Sequence, residues 1–187
     1  MLPGQGEQQE TIPMFAITER LLLRPGWIED APALARAIGD SEVVQNLARV
    51  PWPYTEQDAA AFLSQPHDPL RPNFLICRRA DNRLIGGVGL SGDIDAQLGY
   101  WIARDDWGRG YATEAGRAVL ALADASLRLP RIKACHALDN ASSAKVLRKL
   151  GFRLTGKKAW MNSLARGLRE TRLYVREREQ IAQALAA

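Results

Sequence analysis

The sequence is short of the residues that staple or metallate a small fold: it has two cysteines and two histidines in 187 residues. Cys77 and Cys135 lie in the apolar stretches FLICRR and IKACHAL, with no CxxC partner and no metal-ligand spacing. That excludes a disulfide framework and a Cys/His metal site, and both read as buried thiols. No run of ~18 apolar residues occurs, and MLPGQGEQQETIP at the N-terminus has neither a basic start nor an apolar core, so no membrane span is expected and a cytoplasmic protein is the default. Charge of one sign never collects: 25 Lys plus Arg against 21 Asp plus Glu give a net charge of +4, spread from Arg20 to Arg178. Such a mild excess suits a phosphorylated small molecule at least as well as nucleic acid, whose binders usually gather basic residues on one face, and no nucleic-acid role is expected.

What is present is ordinary for a globular chain, with 47% hydrophobic and 25% charged residues. Residues 1–14, rich in Gly, Gln, Glu and Pro, read as a loose leader, and residues 15–187 read as one domain with no repeat or linker. Ile17 to Arg24 is expected as a strand stopped by Pro25-Gly26, and Asp30-Ala31-Pro32 opens a helix through Ile38. A short helix over Glu42–Leu47 and an irregular VPWPY segment, Val50 to Tyr54, precede a helix over Thr55–Leu63 that begins with the capping-box pattern TEQD. Asn73–Arg79 and Arg83–Leu90 form a hairpin, and Gln97–Arg104 is the next strand. A helix over Ala112–Leu127, a strand over Arg131–Leu138, a helix over Ser142–Leu150 closed by Gly151, and a last hairpin turning near Arg166-Gly167 complete the chain. The expected class is α/β with mixed strand directions.

Between the strand ending at Arg104 and the helix from Ala112 stands DDWGRGYATEA, with glycines on both sides of Arg109. The first amides of a helix lack internal acceptors, and the helix dipole adds about half a positive charge, so Gly108 and Gly110 could bring backbone N–H groups to a pyrophosphate beside Arg109 and the Thr113 hydroxyl. Alternatively, the glycines only supply left-handed dihedrals for a tight turn. A dinucleotide fingerprint is excluded twice over: Thr113 stands where its third glycine belongs, and too little chain follows Asp139 for a βαβ series. Asn140 and Ser143 open the helix NASSAKVLRKLGF and are good N-cap residues, with Arg148 and Lys149 suited to its last turn. His136, His67 and Glu114 have plain structural readings as packed, loop and dipole-pairing residues.

Taken together, TERLLLRP (18–25), GGVGL (86–90), LGYWIARDDWGRGYATEA (98–115) and NASSAKVLRKLGF (140–152) resemble the GNAT acetyltransferases, in the branch containing the ribosomal-protein N-terminal alanine acetyltransferases. Trp107 departs from the family loop pattern, which begins with Gln or Arg. The resemblance implies a mixed, mostly antiparallel sheet of about seven strands, splayed at an acetyl-CoA wedge, with helices on both faces. It also implies acetyl-CoA as co-substrate, with no metal. The pyrophosphate would lie on the loop Trp107, Gly108, Arg109, Gly110, Tyr111, Ala112 and Thr113, and the coenzyme arm along Tyr100, Trp101 and Ile102 with Asn140 as a hydrogen-bond partner. An amide at Trp101 or Ile102 would stabilise the oxyanion, and Ser143 would donate to the departing sulfur. The acceptor would be a primary amine, either a protein N-terminus or a small molecule, with Trp52, Tyr54 and Phe62 near its site. A non-catalytic acetyl-CoA sensor of the same fold is the alternative, and monomer and homodimer are both open.

Overall fold

In the computed structural model, which describes residues 15–92 and 95–178, the alternating segments join one eight-stranded sheet. The leader assigned to residues 1–14 lies outside the described residues. The strands are β1 (Ala16–Ile17), β2 (Leu21–Arg24), β3 (Asn73–Arg78), β4 (Arg83–Ser91), β5 (Gln97–Ile102), β6 (Arg131–Ala137), β7 (Arg153–Ser163) and β8 (Gly167–Glu177). They lie in the order β1-β2-β3-β4-β5-β6-β8-β7, and every neighbouring pair is antiparallel except β5 with β6. The helices are α1 (Ala31–Ile38), α2 (Ser41–Val44), α3 (Glu56–Leu63), α4 (Tyr111–Leu122) and α5 (Ala141–Lys149).

Strand alternation sorts the sheet into two faces. One face carries Phe74, Ile76, Val88, Leu90, Leu98 and Ile102 and is covered by Tyr111, Ala115, Val119 and Leu122 of α4 together with Leu147 of α5. The other carries Leu75, Leu84 and Trp101 against Leu34 and Ala35 of α1 and Ala59 and Leu63 of α3. Helices therefore lie on both faces. The predicted capping box of α3 is present: the Asp58 amide donates to Thr55 Oγ1 at 3.2 Å and the Thr55 amide donates to Asp58 Oδ2 at 2.8 Å.

Among the boundaries that differ from expectation, three bear on the sheet and the site. The strand expected over Ile17–Arg24 is interrupted at Thr18–Arg20, where the Thr18 amide donates to the Leu21 carbonyl and the chain turns back, so β1 and β2 pair with each other and the sheet gains a strand. α2 stops at Val44, short of Leu47, in a turn closed by the Asn46 and Leu47 amides. α4 begins one residue early, at Tyr111, and beyond Leu122 it widens into a π turn over Ala123–Leu127.

Where α4 crosses α5, Gly116 leaves room for Leu150: a Cβ at residue 116 would meet Leu150 Cδ1 at 2.7 Å. Gly116→Val is expected to overpack this crossing and lower stability by about 1–3 kcal/mol, read as a lower denaturation midpoint with unchanged slope.

Candidate active site

The loop before α4 is held from both ends. Upstream, Asp106 is buried (2% exposed) and its Oδ1 accepts from Arg78 Nη1 at 2.7 Å, while Arg83 Nη2 lies 3.4 Å from Oδ2. Asp105 pairs with Arg83 at 3.3 Å, so the β3–β4 hairpin grips the chain immediately ahead of the glycines. Trp107 donates its indole N–H to the Ile102 carbonyl at 2.7 Å beneath the Arg104 guanidinium, which gives the departure from the family pattern a structural job. Downstream, Glu114 accepts from Thr18 Oγ1 at 2.6 Å, the Arg20 amide at 2.9 Å and Arg20 Nε at 2.7 Å. Arg20 in turn donates to the Arg109 carbonyl at 3.0 Å and covers the Tyr111 ring.

Between these anchors Gly108 and Gly110 have φ of 75° and 83°, the left-handed region that favours glycine. No atom lies within 4 Å of where a Cβ on Gly108 would be, so that glycine faces open space. Helix geometry leaves the amides of Tyr111, Ala112 and Thr113 without an intrahelical acceptor, since the first such bond runs from the Glu114 amide to the Gly110 carbonyl. Arg109 is exposed, whereas Tyr111 and Thr113 are buried. The tight-turn and anion-binding readings of these glycines are thus compatible: the left-handed turns are what leave the amides exposed.

Beside the loop, β5 and β6 meet through a single register pair, Gln97 with Lys133, and separate beyond it. The closed end is pinned by the Lys133 amide on the Ala96 carbonyl, by Lys133 and Arg131 on Asp95, and by Gln97 Nε2 3.5 Å from Cys135 Sγ. Toward the open end the alternation of backbone groups can be followed from two bonds. The Ala103 amide donates to Ile85 on β4, and the Ala96 carbonyl accepts from β6. The amides of Tyr100 and Ile102 therefore face the wedge, and that of Trp101 faces β4. The Trp101 side chain lies on the α1–α3 face among Tyr54, Leu34 and Val44.

Tyr100 spans the wedge. Its hydroxyl is 2.7 Å from Ser143 Oγ and donates to the Ser143 carbonyl at 3.3 Å. Burial pushes the phenol up to about 12, so it stays protonated throughout the working pH range. Asn140 caps α5 by accepting from the Ser143 amide at 2.9 Å and donates to Asn46 Oδ1 at 3.1 Å, which ties α5 to the end of α2. Ser143, Tyr100 and Asn140 are thus brought together at the wedge. His136 is buried, with Nδ1 2.7 Å from the Ala137 carbonyl and Nε2 3.2 Å from the Tyr174 hydroxyl, a packed residue. Trp52 and Phe62 are exposed, and of the three only Tyr54 packs on the same buried clusters as Trp101. Missing from the sequence reading were Arg20, Arg78, Arg83 and Asn46, whose partners lie far along the chain and follow no period.

Comparison with known proteins agrees with this geometry. Residues 20–153 match the family model described as the acetyltransferase (GNAT) domain. The chain is 32% identical over 149 residues to the N-acetyltransferase p20 of Bacillus licheniformis, covering 74% of this chain and 82% of that protein. Among solved structures, the ribosomal-protein-S5-alanine acetyltransferase of Vibrio fischeri superposes with a TM-score of 0.76 at 19% identity, covering 89% of this chain and 98% of that one. The microcin C7 self-immunity acetyltransferase MccE, solved with acetyl-CoA and AMP, superposes with a TM-score of 0.70 at 19% identity over 86% of this chain and 93% of that one. At these identities the structural likenesses concern the fold.

The Glu114 clamp has a pH signature. Burial would raise this carboxyl, and the hydrogen bonds from Thr18 and Arg20 outweigh it, holding the group below its ordinary value of 4.5. A depressed folded value means that the stabilisation is complete above pH about 4.5 and is lost as the pH falls through the folded pKa. Glu114→Gln is therefore expected to be less stable at neutral pH and to show a shallower loss of stability below pH about 4.5, measured by urea denaturation across a pH series.

Proposed function

This chain belongs to the GNAT acetyltransferase family, and from that premise we propose that it transfers the acetyl group of acetyl-CoA directly to a primary amine. The observation that carries the reading is the wedge between β5 and β6, opening beside a loop with two left-handed glycines at the start of α4. The residues fit the co-substrate. The open space at Gly108, the unpartnered first amides of α4 and the Arg109 side chain suit a pyrophosphate. The unpaired edges of β5 and β6 suit the amide-bearing arm. When bound, acetyl-CoA supplies an acyl thioester.

In this reading the Ile102 and Tyr100 amides face the thioester carbonyl and stabilise negative charge developing there. Ser143 delivers a proton toward the departing sulfur and is resupplied through the Tyr100 phenol hydrogen-bonded to it, while the proton that the attacking nitrogen sheds on becoming an amide passes to solvent, which restores the phenol. A leaving thiolate with pKa near ~8.5 needs limited help, so positioning supplies more of the acceleration than acid catalysis does. The acceptor must arrive neutral. At pH 7 that costs about 1.4 kcal/mol for an α-amine of pKa about 8 and about 4.6 kcal/mol for a lysine amine near 10.4. His136, enclosed by Ala137 and Tyr174, is no candidate for a base. An α-amine is therefore the acceptor that this site serves with the least assistance.

Calorimetry with acetyl-CoA and thiol release with an amine panel test the reading together; binding without turnover on any amine would favour a coenzyme sensor. Gly110→Asp, which sets a carboxylate at a φ of 83° beside the amides, is expected to weaken acetyl-CoA binding at least tenfold. Unchanged affinity in the folded variant would remove the loop from the binding site. Ser143→Ala and Tyr100→Phe are expected to lower kcat about 10- to 100-fold with little change in coenzyme affinity. Their deficit should shrink with an acetyl thioester of a more acidic thiol, whose departure needs less proton donation.

A further inference from the structure

Opposite α4, the wedge opens onto the face of the sheet that carries Gln97, Trp101 and Cys135. Gly99 on this face is exposed, with no atom within 4 Å of where its Cβ would be, so the strand floor there is bare. The rim is assembled from three segments. The turn between β7 and β8 docks on the chain after α2, with Ser163 Oγ donating to the Leu47 carbonyl and the Leu164 amide to the Ala48 carbonyl, both at 3.0 Å. The α2 end reaches α5 through Asn46 and Asn140. Asp139, the residue before that cap, holds the hairpin through Arg166 at 3.3 Å and Arg169 at 2.6 Å.

The charge at this rim is unbalanced. Both guanidiniums use the same oxygen, Oδ2 of Asp139, and among the described residues each makes only that one hydrogen bond. Register fixes where Arg169 stands: Thr171 pairs with Ala137 and Leu173 with Cys135, so Arg169, two residues earlier, lies on the face that includes the wedge floor. The other carboxylates of these elements are engaged, Asp40 as the cap of α2, Glu42 with Arg104 at 2.7 Å, Glu170 with Lys158 at 2.8 Å and Glu177 with Arg153 at 3.5 Å. Arg49, exposed in the segment on which the hairpin docks, adds a further cation.

Resting on the acetyltransferase reading, we infer that the acceptor amine carries an anionic group, a carboxylate or phosphate, that Arg166 and Arg169 receive at this rim. A guanidinium engaged through one nitrogen still offers a fork of donors, the geometry that matches a carboxylate or phosphate. Polycationic acceptors such as polyamines meet two guanidiniums and no unengaged carboxylate among the described residues of these elements. A peptide N-terminus followed by an acidic residue, or an amino acid bearing its own carboxylate, has its amine within a few bonds of the charge that the rim attracts.

Thiol release should be measured with C-terminally amidated tetrapeptides that differ only in a second-position Glu, Gln or Lys, with free glutamate, with phosphoethanolamine, and with spermidine. The expected order in kcat/KM puts an anionic acceptor about tenfold above the lysine peptide and spermidine at low salt, with the gap closing in 0.5 M NaCl. Preference among the glutamyl peptide, free glutamate and phosphoethanolamine identifies the source of the anion. The double variant Arg166→Gln/Arg169→Gln should lose that preference while its acetyl-CoA affinity stays within twofold. A charge-independent order, a best rate with the lysine peptide or spermidine, or an acidic preference that survives the double variant would overturn the inference while acetyl transfer itself stands. If no acceptor is acetylated, the failure falls on the transferase reading. Calorimetry of the same panel on the acetyl-CoA complex then decides the inference by the same ordering of affinities.

Discussion

The structure turns on one incomplete pairing. β5 is fully paired with β4, and β6 with β8, yet the two strands touch each other at only one register position. Each belongs to its own antiparallel neighbour, and the single parallel junction is closed by Asp95, Lys133 and Ala96. Beyond it, edges that would be buried in a continuous sheet are left with unspent N–H and C=O groups. A fold tolerates this only where something else satisfies them. Trp107 on the Ile102 carbonyl takes up part of that demand, and an extended amide-containing ligand suits the remainder.

The same constraint explains the effort invested in the loop. Amides aimed at an anion contribute only if they hold their geometry when the anion is absent, and left-handed glycines by themselves do not ensure that. Here the rigidity comes from charge pairs on either side. Asp106, withdrawn from water against Arg78, holds the entrance, and Glu114 clamps the start of α4 to the β1–β2 turn through Arg20. Removing one member of the Asp106 pair would strand a buried charge, so this pair fixes position as well as binding the hairpin. The glycines let the chain turn, and the arginines keep it turned.

How much of this was legible in the sequence follows from the range of each interaction. The capping box at Thr55, the helix opening after Gly110 and the final hairpin are decided within a few residues, and all were readable. The wedge residues Tyr100, Asn140 and Ser143 were found through motifs, although spacing alone left the latter two as caps. The structure shows that Asn140 does cap α5, so the structural and ligand readings of that residue are compatible. What escaped was non-local. Glu114 was read as a partner of the helix dipole, and its actual partners, Thr18 and Arg20, lie 96 and 94 residues away in the chain. The break at Thr18–Arg20 that delivers them reads, in sequence, as the opening of one continuous strand over Ile17–Arg24.

If acetyl-CoA and an amine meet at the wedge as proposed, β5 gives them separate approaches. Its alternation turns Leu98, Tyr100 and Ile102 toward α4 and α5, and Gly99 and Trp101 toward α1 and α3. On the proposed reading, a coenzyme entering over the α4 loop would meet the first set, and an amine entering beneath the β7–β8 turn would meet the second. The period of two that builds a sheet would then also separate donor from acceptor. Only at the splayed edge do the approaches converge, because only there is no neighbouring strand between them. Specificity for the amine would then be set by the rim, where residues such as Arg169 can change without disturbing the amides of the proposed donor site.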